Sequence, residues 1–247
     1  MKGIVFCGGK GVRLRPLSYY IQKTMIPIGT KQKPLLEYVI RLLKKHNVLD
    51  ITLLVEYKAN QIANYFGNGS RFGVKIRYLR DNPKLAGTAG ALLNAFLKGT
   101  IRLDETLLVY YGDILSNINL TDLLNHHKEK KAVATLALST GFSVPVGVAD
   151  VGEGGKITKF IEKPEIEKPV GIGVLVLEAK AINSIQKLFH QKRQLDIMTD
   201  LIPHFIDTGE RVYAYLTDAF WYDVGSTEKY EKIDNKAISK FFSEYEK

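Results

Sequence analysis

The chain has 247 residues, 45% of them apolar and 25% charged, a balance that excludes a disordered chain and is typical of a globular domain with a sizeable core. The 35 Lys and Arg outnumber the 26 Asp and Glu, and the formal net charge of +9 favours anionic ligands such as nucleotides, sugar phosphates, nucleic acid or lipid head groups. Cys7 is the only cysteine, which excludes an intrachain disulfide framework and a cysteine-based zinc cluster.

The apolar stretch at the N-terminus, residues 4–7, is shorter than the core of a signal peptide. No apolar run approaches the about 20 residues of a membrane span. We therefore expect a cytoplasmic protein with no membrane partner.

In the first half of the chain, short apolar runs alternate with longer amphipathic stretches. The runs are too continuously apolar to face water on one side, which predicts a buried parallel sheet. Strand–helix alternation of this kind implies right-handed crossovers and a doubly wound α/β fold. The predicted strands are 3–7, 51–55, 74–79 and 106–111, and the predicted helices are 34–45, 59–66, 88–97 and 120–130.

From Ala132 onward the pattern changes to strand-like segments with short gaps, and Gly152, Gly154 and Gly155 mark a hairpin turn. We predict one domain made of an α/β part (1–131), a β-rich insertion (132–177) and C-terminal helices (178–247). The predicted strands here are 132–138, 144–151, 156–161, 170–177 and 212–216, and the predicted helices are 179–190, 198–205 and a last one from about 226.

A glycine-rich loop follows the first predicted strand. The carboxyl end of a strand is where an open α/β sheet usually binds its ligand, and Gly8, Gly9 and Gly11 allow backbone N–H groups to approach a phosphate closely. Arg13 and Arg15 add positive charge. The spacing matches neither the dinucleotide fingerprint nor the P-loop, so the loop indicates a phosphate site of another type.

Residues 8–40 resemble the sugar-1-phosphate nucleotidyltransferases, whose signature is G-G-x-G-x-R-L-x-P-L, a spacer, a lysine and a K-P pair that opens a helix. This chain supplies the arginine as Arg13, the lysine as Lys23 and the pair as Lys33-Pro34. Two positions depart from the family pattern. Val12 stands where threonine is usual, and Gln22 stands where a proline usually precedes the lysine, a change that removes only backbone stiffness.

The resemblance continues through LAGTAGAL, YYGDIL, PVGVADV, KFIEKP, GIGVLVLE and WYDVGS, in the family's order up to about residue 230. It implies a Rossmann-like, mostly parallel sheet with a sugar-binding insertion. The implied roles are catalysis by Arg13 and Lys23, nucleotide binding by Gly8, Gly9, Gly11, Gly87 and Thr88, sugar-phosphate binding by Gly147, Glu162, Lys163 and Gly173, and metal binding by Asp113 and Asp223.

The two aspartates also stand out by their positions. Asp113 follows a near-continuous apolar strand, and Asp223 follows Phe220-Trp221-Tyr222 in a similar way. Hard carboxylate oxygens suit Mg²⁺, which usually bridges one or two protein carboxylates to substrate phosphates. Mg²⁺ is therefore the expected cofactor.

The resemblance implies transfer of a nucleoside monophosphate from a nucleoside triphosphate to a sugar 1-phosphate, with pyrophosphate released. A mannose-1-phosphate guanylyltransferase is the first interpretation; glucose-1-phosphate thymidylyl- or uridylyltransferase and a non-catalytic nucleotide-sugar-binding regulator are the alternatives. A nucleic-acid-binding role lacks any recognition motif, whereas a homo-oligomer is compatible with the sequence. The histidines, including His126-His127, show no metal-ligand spacing and are predicted on a solvated helix face.

Overall fold

The computed structural model describes residues 1–144 and 146–245. It contains a seven-stranded central sheet and three separate two-stranded sheets. The strands are β1 Lys2–Cys7, β2 Pro27–Ile28, β3 Lys33–Pro34, β4 Asp50–Val55, β5 Lys75–Arg80, β6 Thr106–Tyr111, β7 Ile114–Ser116, β8 Ala134–Ser139, β9 Val148–Val151, β10 Ile157–Ile161, β11 Val170–Glu178, β12 Val212–Thr217 and β13 Trp221–Asp223.

The helices are short, and in the ranges 1–144 and 146–245 none has both the length and the apolar character needed to cross a membrane. The α-helices are α1 Leu35–Lys45, α2 Ala59–Phe66, α3 Thr88–Leu97, α4 Leu120–Glu129, α5 Ile182–Phe189, α6 Ile202–Asp207, α7 Thr227–Glu231 and α8 Asn235–Phe241.

The central sheet has the strand order β12-β8-β11-β6-β1-β4-β5. Only β11 among these strands is antiparallel to its neighbours, β6 and β8; the other pairs are parallel. The predicted α/β fold with a mostly parallel sheet is therefore confirmed.

Two apolar cores cover the two faces of this sheet. Successive side chains of a strand point to opposite faces, so Ile4 of β1 packs with α3, α5 and α6, while the next residue, Val5, packs with α1, α2 and α4. In β6, Val109 and Tyr110 divide in the same way. Burial on both faces is the reason why these strands are apolar without alternation.

The β-rich part predicted at 132–177 divides between two sheets. Its first and last strands, β8 and β11, belong to the central sheet, and β9 and β10 form a separate antiparallel ribbon with exposed side chains. The predicted turn between them is confirmed by a hydrogen bond from the Gly152 N–H to the Lys156 carbonyl at 2.8 Å. Pro145, inside the predicted strand 144–151, lies outside the described residues.

Two of the predicted helices are each divided into two parts in the structure. The predicted helix at 198–205 is a π-helical turn, Ile197–Leu201, followed by α6, where Pro203 stands in the first turn. The single helix predicted from about residue 226 is two helices, α7 and α8, and the Asp234 carboxylate caps α8 by accepting from the Lys236 and Ala237 N–H groups.

The prediction that both histidines of the His126-His127 pair face solvent is wrong for His127, whose exposed fraction is 2%. Its Nδ1 lies 2.8 Å from Thr135 Oγ1 of β8, and its Nε2 lies 3.0 Å from Glu178 Oε1 of β11. Two hydrogen-bond partners on the sheet therefore keep a polar ring in the contact between α4 and the sheet.

Candidate active site

Two loops leave the central sheet side by side at the carboxyl ends of β1 and β6. The strands are parallel, with Phe6 opposite Tyr111, and the Gly112 N–H donates to the Phe6 carbonyl at 3.0 Å. The first loop carries the glycines and the second carries Asp113, so the fold places the predicted phosphate loop next to a predicted metal ligand.

A cavity of about 780 Å³ opens at this edge, and we call it the large cavity. Three of the predicted nucleotide-binding glycines, Gly8, Gly9 and Gly87, lie in its described wall together with Thr88, whereas Gly11 does not. Gly11 has φ +60°, and a Cβ there would lie 3.2 Å from Ser18 Cβ and 3.3 Å from Lys23 Cβ. A side chain at this position would therefore crowd the turn that carries Lys23.

The second part of the cavity wall is the loop that begins α3. Gly87 has φ +86°, and a Cβ there would collide with the Leu195 carbonyl. Asp196 accepts hydrogen bonds from the Thr88 N–H (3.0 Å) and hydroxyl (3.1 Å), so this carboxylate holds the first turn of α3 against the 194–197 segment. Asp196 is not identifiable from the sequence, because a single acid between predicted helices carries no motif.

Lys23 and Asp113 both line the large cavity, and their side chains form an ion pair. Lys23 is 13% exposed and Asp113 is 24% exposed. A cation this close to the glycine loop is positioned to neutralise phosphate charge, and the pairing leaves the Asp113 carboxylate compensated.

The two predicted metal ligands lie close together in the backbone: Asp113 directly precedes β7, and Asp223 ends the neighbouring strand β13. Asp223 is opposite Ile114 in the antiparallel pair β7–β13, and the Val224 N–H donates to the Asp113 carbonyl at 3.0 Å. The second carboxylate is also paired, since Asp223 Oδ2 lies 2.5 Å from Lys229 Nζ. Winding of the sheet thus brings together two acids about 110 residues apart in sequence.

Two partly exposed carboxylates fit a hard divalent cation such as Mg²⁺. Within the described ranges, no group of three or more His, Cys, Asp or Glu side chains is arranged to hold a metal. Asp113 and Asp223 would therefore supply two oxygen ligands, and substrate phosphates and water would supply the others.

A second cavity, the small cavity, has a volume of about 300 Å³ and lies on the Asp223 side of this pair. Asp113 is part of the wall of the large cavity, whereas Asp223 is part of the wall of the small one. The aspartate pair therefore stands between two cavities. The wall of the small cavity consists of Thr140, Gly141, Phe142, Ser143, Trp221, Tyr222, Asp223 and Lys229.

Arg13 lies outside the described walls of both cavities, and its side chain is exposed. The Thr227 hydroxyl contacts its carbonyl oxygen at 3.4 Å and that of Arg15 at 3.3 Å, which attaches this loop to the start of α7. Because the Arg13 side chain is exposed, its guanidinium can turn towards a bound phosphate.

The predicted sugar-phosphate residues occupy two different places. Gly173 lies in β11 beside β7, where a Cβ would be 3.0 Å from Ile114 Cγ1. Glu162 and Lys163 follow the exposed strand β10, and a Cβ on Gly147 would lie 2.8 Å from Glu162 Oε2. The described cavity walls contain none of these four residues, so their role in sugar binding stays a prediction.

Gln22 makes hydrogen bonds that a proline at this position could not make. Its side chain is buried, its Nε2 donates to the Cys7 carbonyl at 2.6 Å, and its Oε1 accepts from the Thr24 N–H at 2.6 Å and the Thr24 hydroxyl at 2.7 Å. Its own N–H donates to Gln61 Oε1 at 2.7 Å. The side-chain amide therefore joins the end of β1 to the turn of Lys23, and the backbone N–H joins this turn to α2.

Gln22→Pro, which restores the usual family residue, is therefore expected to destabilise this protein. It removes all four hydrogen bonds, and leaving buried partners unpaired should lower the free energy of unfolding by about 2–3 kcal/mol in urea titrations. Gln61→Ala, which removes only the contact with the backbone of Gln22 and one with Tyr20, is the control and should cost about 1 kcal/mol. A Gln22→Pro variant as stable as the parent would contradict this account.

Asp81 is an acid in the wall of the large cavity that the sequence did not assign. Burial, with a smaller contribution from the nearby Glu56 carboxylate, raises the pKa of this carboxyl from 3.8 to about 6. Because the folded-state pKa is above the unfolded value, the stability linked to this proton is full below pH 3.8 and is lost as pH rises through about 6.

Asp81→Asn should therefore stabilise the protein at pH 8 and leave it nearly unchanged at pH 4. The carboxyl is only half-buried, so solvent screens part of the effect, and we expect about 1 kcal/mol, or about 2–4 °C in Tm. Differential scanning calorimetry between pH 4 and 8 measures this difference. The exposed Asp104→Asn is the matched control, and a Tm difference independent of pH would refute the assigned cause.

The comparisons with known proteins agree with the geometry. A family model described as nucleotidyl transferase matches residues 2–240. The chain is 34% identical to UTP–glucose-1-phosphate uridylyltransferase of Synechocystis sp., covering 97% of this chain and 64% of that protein. It is 31% identical to mannose-1-phosphate guanylyltransferase of Mycobacterium tuberculosis (92% and 62%) and 27% identical to glucose-1-phosphate thymidylyltransferase of Streptomyces antibioticus (96% and 66%).

Solved structures show the same fold. A Bacillus anthracis protein assigned as a glucose-1-phosphate thymidylyltransferase superimposes with a TM-score of 0.76 at 22% identity, covering 97% of this chain and 95% of that one. HddC from Yersinia pseudotuberculosis gives a TM-score of 0.70 at 23% identity, with coverage of 94% and 96%.

The chain spans less than two thirds of the length of the sequence relatives named above. The match nevertheless extends over nearly all of its own residues, and the predicted family is confirmed: the chain belongs to the nucleotidyl transferase family.

Proposed function

We propose that the protein transfers a nucleoside monophosphate from a nucleoside triphosphate to a sugar 1-phosphate. The observation that carries the proposal is the meeting of Lys23, Asp113 and Asp223 between two cavities, one of which is lined by the glycine loop. A donor and an acceptor that occupy the two cavities would both reach the aspartate pair.

The reaction needs no covalent intermediate on the protein. An oxygen of the sugar phosphate is already anionic at neutral pH; its bond to the α-phosphorus forms as the bond between that phosphorus and the β-phosphate oxygen breaks, and pyrophosphate leaves. The chain therefore has to align two anions and reduce their repulsion.

Most of the predicted residues have a part in this alignment. Backbone N–H groups of Gly8, Gly9 and Gly11 would hold the pyrophosphate, with Arg13 turning onto it, and Lys23 would release Asp113 to contact the reacting phosphate. Asp113 and Asp223 would hold Mg²⁺, which would supply charge neutralisation between donor and acceptor. Gly147, Glu162, Lys163 and Gly173 would contact the acceptor.

The substrate pair is proposed as GTP with mannose 1-phosphate. Support comes from the large cavity, where the carboxylates of Asp81 and Glu56 line the wall. Guanine presents two neighbouring N–H donor groups to such acceptors, whereas uracil and thymine present one. The relatives include guanylyl-, uridylyl- and thymidylyltransferases, so UTP or dTTP with glucose 1-phosphate is the competing pair.

Pyrophosphate release from GTP, UTP and dTTP, each with mannose or glucose 1-phosphate and Mg²⁺, tests both levels of the proposal. We expect release that requires both substrates and is fastest for GTP with mannose 1-phosphate. Faster release with UTP or dTTP would replace the substrate pair. Nucleotide-sugar binding without release from any pair would instead support a non-catalytic regulator.

A further inference from the structure

Lys229 is a lysine that the family resemblance does not single out, and its backbone is fixed beside Asp223. Its N–H donates to Ser226 Oγ at 3.3 Å, and its carbonyl accepts from the Tyr222 hydroxyl at 2.7 Å. Its ammonium lies 2.5 Å from Asp223 Oδ2, although 46% of the side chain is exposed. The fold therefore anchors the main chain while the charged end keeps room to move.

The same side chain lines the small cavity. The Phe142 and Trp221 rings, which also line this cavity, stack with centroids 5.8 Å apart and planes 23° apart. Thr140 and Ser143 also line it. An ammonium that leaves Asp223 can thus enter a space lined by hydroxyl-bearing and aromatic residues. Lys229 is the cationic residue in the described wall of this space.

Each candidate metal ligand forms an ion pair with a lysine: Asp113 with Lys23, and Asp223 with Lys229. A divalent cation on these carboxylates would repel both ammonium groups at short range. Lys23 faces the large cavity, where phosphates of the donor would receive it. Lys229 faces the small cavity, so it needs a second anion there.

We propose that Lys229 serves as a stand-in cation for Asp223 and, once a metal ion takes that carboxylate, turns to bind the phosphate group of a phosphate monoester in the small cavity. This inference rests on the proposed function, because it requires Asp223 to be a metal ligand. Lys229 then couples the two binding events, since the metal frees the lysine that the acceptor phosphate uses.

If this exchange occurs, removal of the Lys229 ammonium should weaken phosphate binding only when a metal ion is present. Calorimetric titration with mannose 1-phosphate and with inorganic phosphate should show Lys229→Met binding about fivefold or more weakly than the parent in Mg²⁺, and within about twofold of it in EDTA. Lys229→Arg, which keeps the charge, should restore most of the Mg²⁺-dependent affinity.

Lys232→Met is the matched control, because Lys232 lies one helical turn away in an exposed pair with Glu228 at 2.5 Å. It should leave both titrations unchanged. Equal weakening of Lys229→Met with and without Mg²⁺ would overturn the exchange in favour of a simple anion site. No weakening in either condition would reduce Lys229 to a surface ion pair, and binding of free mannose with the same Mg²⁺ dependence would overturn the phosphate contact.

Metal binding alone gives an independent measurement. Trp221 is the only tryptophan in the chain, so Tb³⁺ luminescence excited through tryptophan reports a metal ion at Asp223. Lys229→Met should bind Tb³⁺ about fivefold more tightly than the parent because the competing cation is gone, and unchanged affinity would overturn the stand-in role. Unchanged Tb³⁺ binding by Asp223→Asn would instead refute the proposed metal site, which separates the two failures.

Discussion

Asp113→Asn and Asp223→Asn should each lower kcat/KM by about 100-fold or more while the protein stays folded. The amide keeps the size of the side chain and removes its charge, so the strand pair β7–β13, which contains Asp223 and directly follows Asp113, should persist. What is lost is the ability of two carboxylates to attract one divalent cation between the cavities. Steady-state kinetics across a Mg²⁺ series, with circular dichroism of each variant, measures both parts.

The double variant distinguishes one shared metal ion from two separate effects. The effects of residues that act as a unit are not additive. The loss of kcat/KM in Asp113→Asn/Asp223→Asn should therefore be little larger than that of the worse single variant. Asp218→Asn, an exposed acid five residues before Asp223, is the control and should keep activity within about threefold of the parent. Multiplication of the two single losses in the double variant would contradict a shared site.

The inner strands of the central sheet were predictable because they are buried on both faces. β1, β4 and β6 read as continuous apolar runs, and the carboxyl-end rule then placed the glycine loop and Asp113 at one edge. The adjacency of Asp113 and Asp223 was expected only through the family resemblance. Nothing local in the sequence states that β13 pairs with β7.

Contacts between residues far apart in the sequence also explain why the sheet positions of β8 and β11 and the burial of His127 were not predicted correctly. β8 and β11 follow short gaps like strands of a hairpin, yet each joins the central sheet, because their apolar residues complete its cores. His127 sits in a polar stretch of α4, and only Thr135 and Glu178 on the sheet make its burial possible. Partners brought by tertiary structure leave no local signal in a sequence.

Among the candidate site residues, the sequence singled out those inside a motif and left unassigned those in loops without one. Asp81, Glu56 and Asp196 line the large cavity, but each is a single acid in a connection. Gln22 was visible as a departure from the family pattern, yet its four hydrogen bonds arise from Cys7, Thr24 and Gln61, which only the fold brings together.

Lys23→Ala should lower kcat by about 100-fold, the scale for removing one electrostatic stabiliser of a transition state. Lys23 lines the large cavity, pairs with Asp113 and is mostly buried, so its ammonium is already close to where the reacting phosphate would lie. Single-turnover measurements at saturating triphosphate isolate this loss. A kcat within about threefold of the parent would remove Lys23 from the chemical step.

Arg13→Ala should behave differently because the guanidinium starts exposed and outside the cavity walls. Its contact forms only when the triphosphate binds, so the larger change is expected in KM for the triphosphate, with kcat/KM lowered by about 100-fold. Arg15→Ala is the matched control in the same loop: this exposed arginine stacks on Tyr19, with its guanidinium carbon 4.9 Å from the ring centroid, and its loss should change kcat/KM by less than about threefold. Equal losses for Arg13→Ala and Arg15→Ala would show that the loop contributes only general positive charge, and the specific pyrophosphate contact assigned to Arg13 would then be wrong.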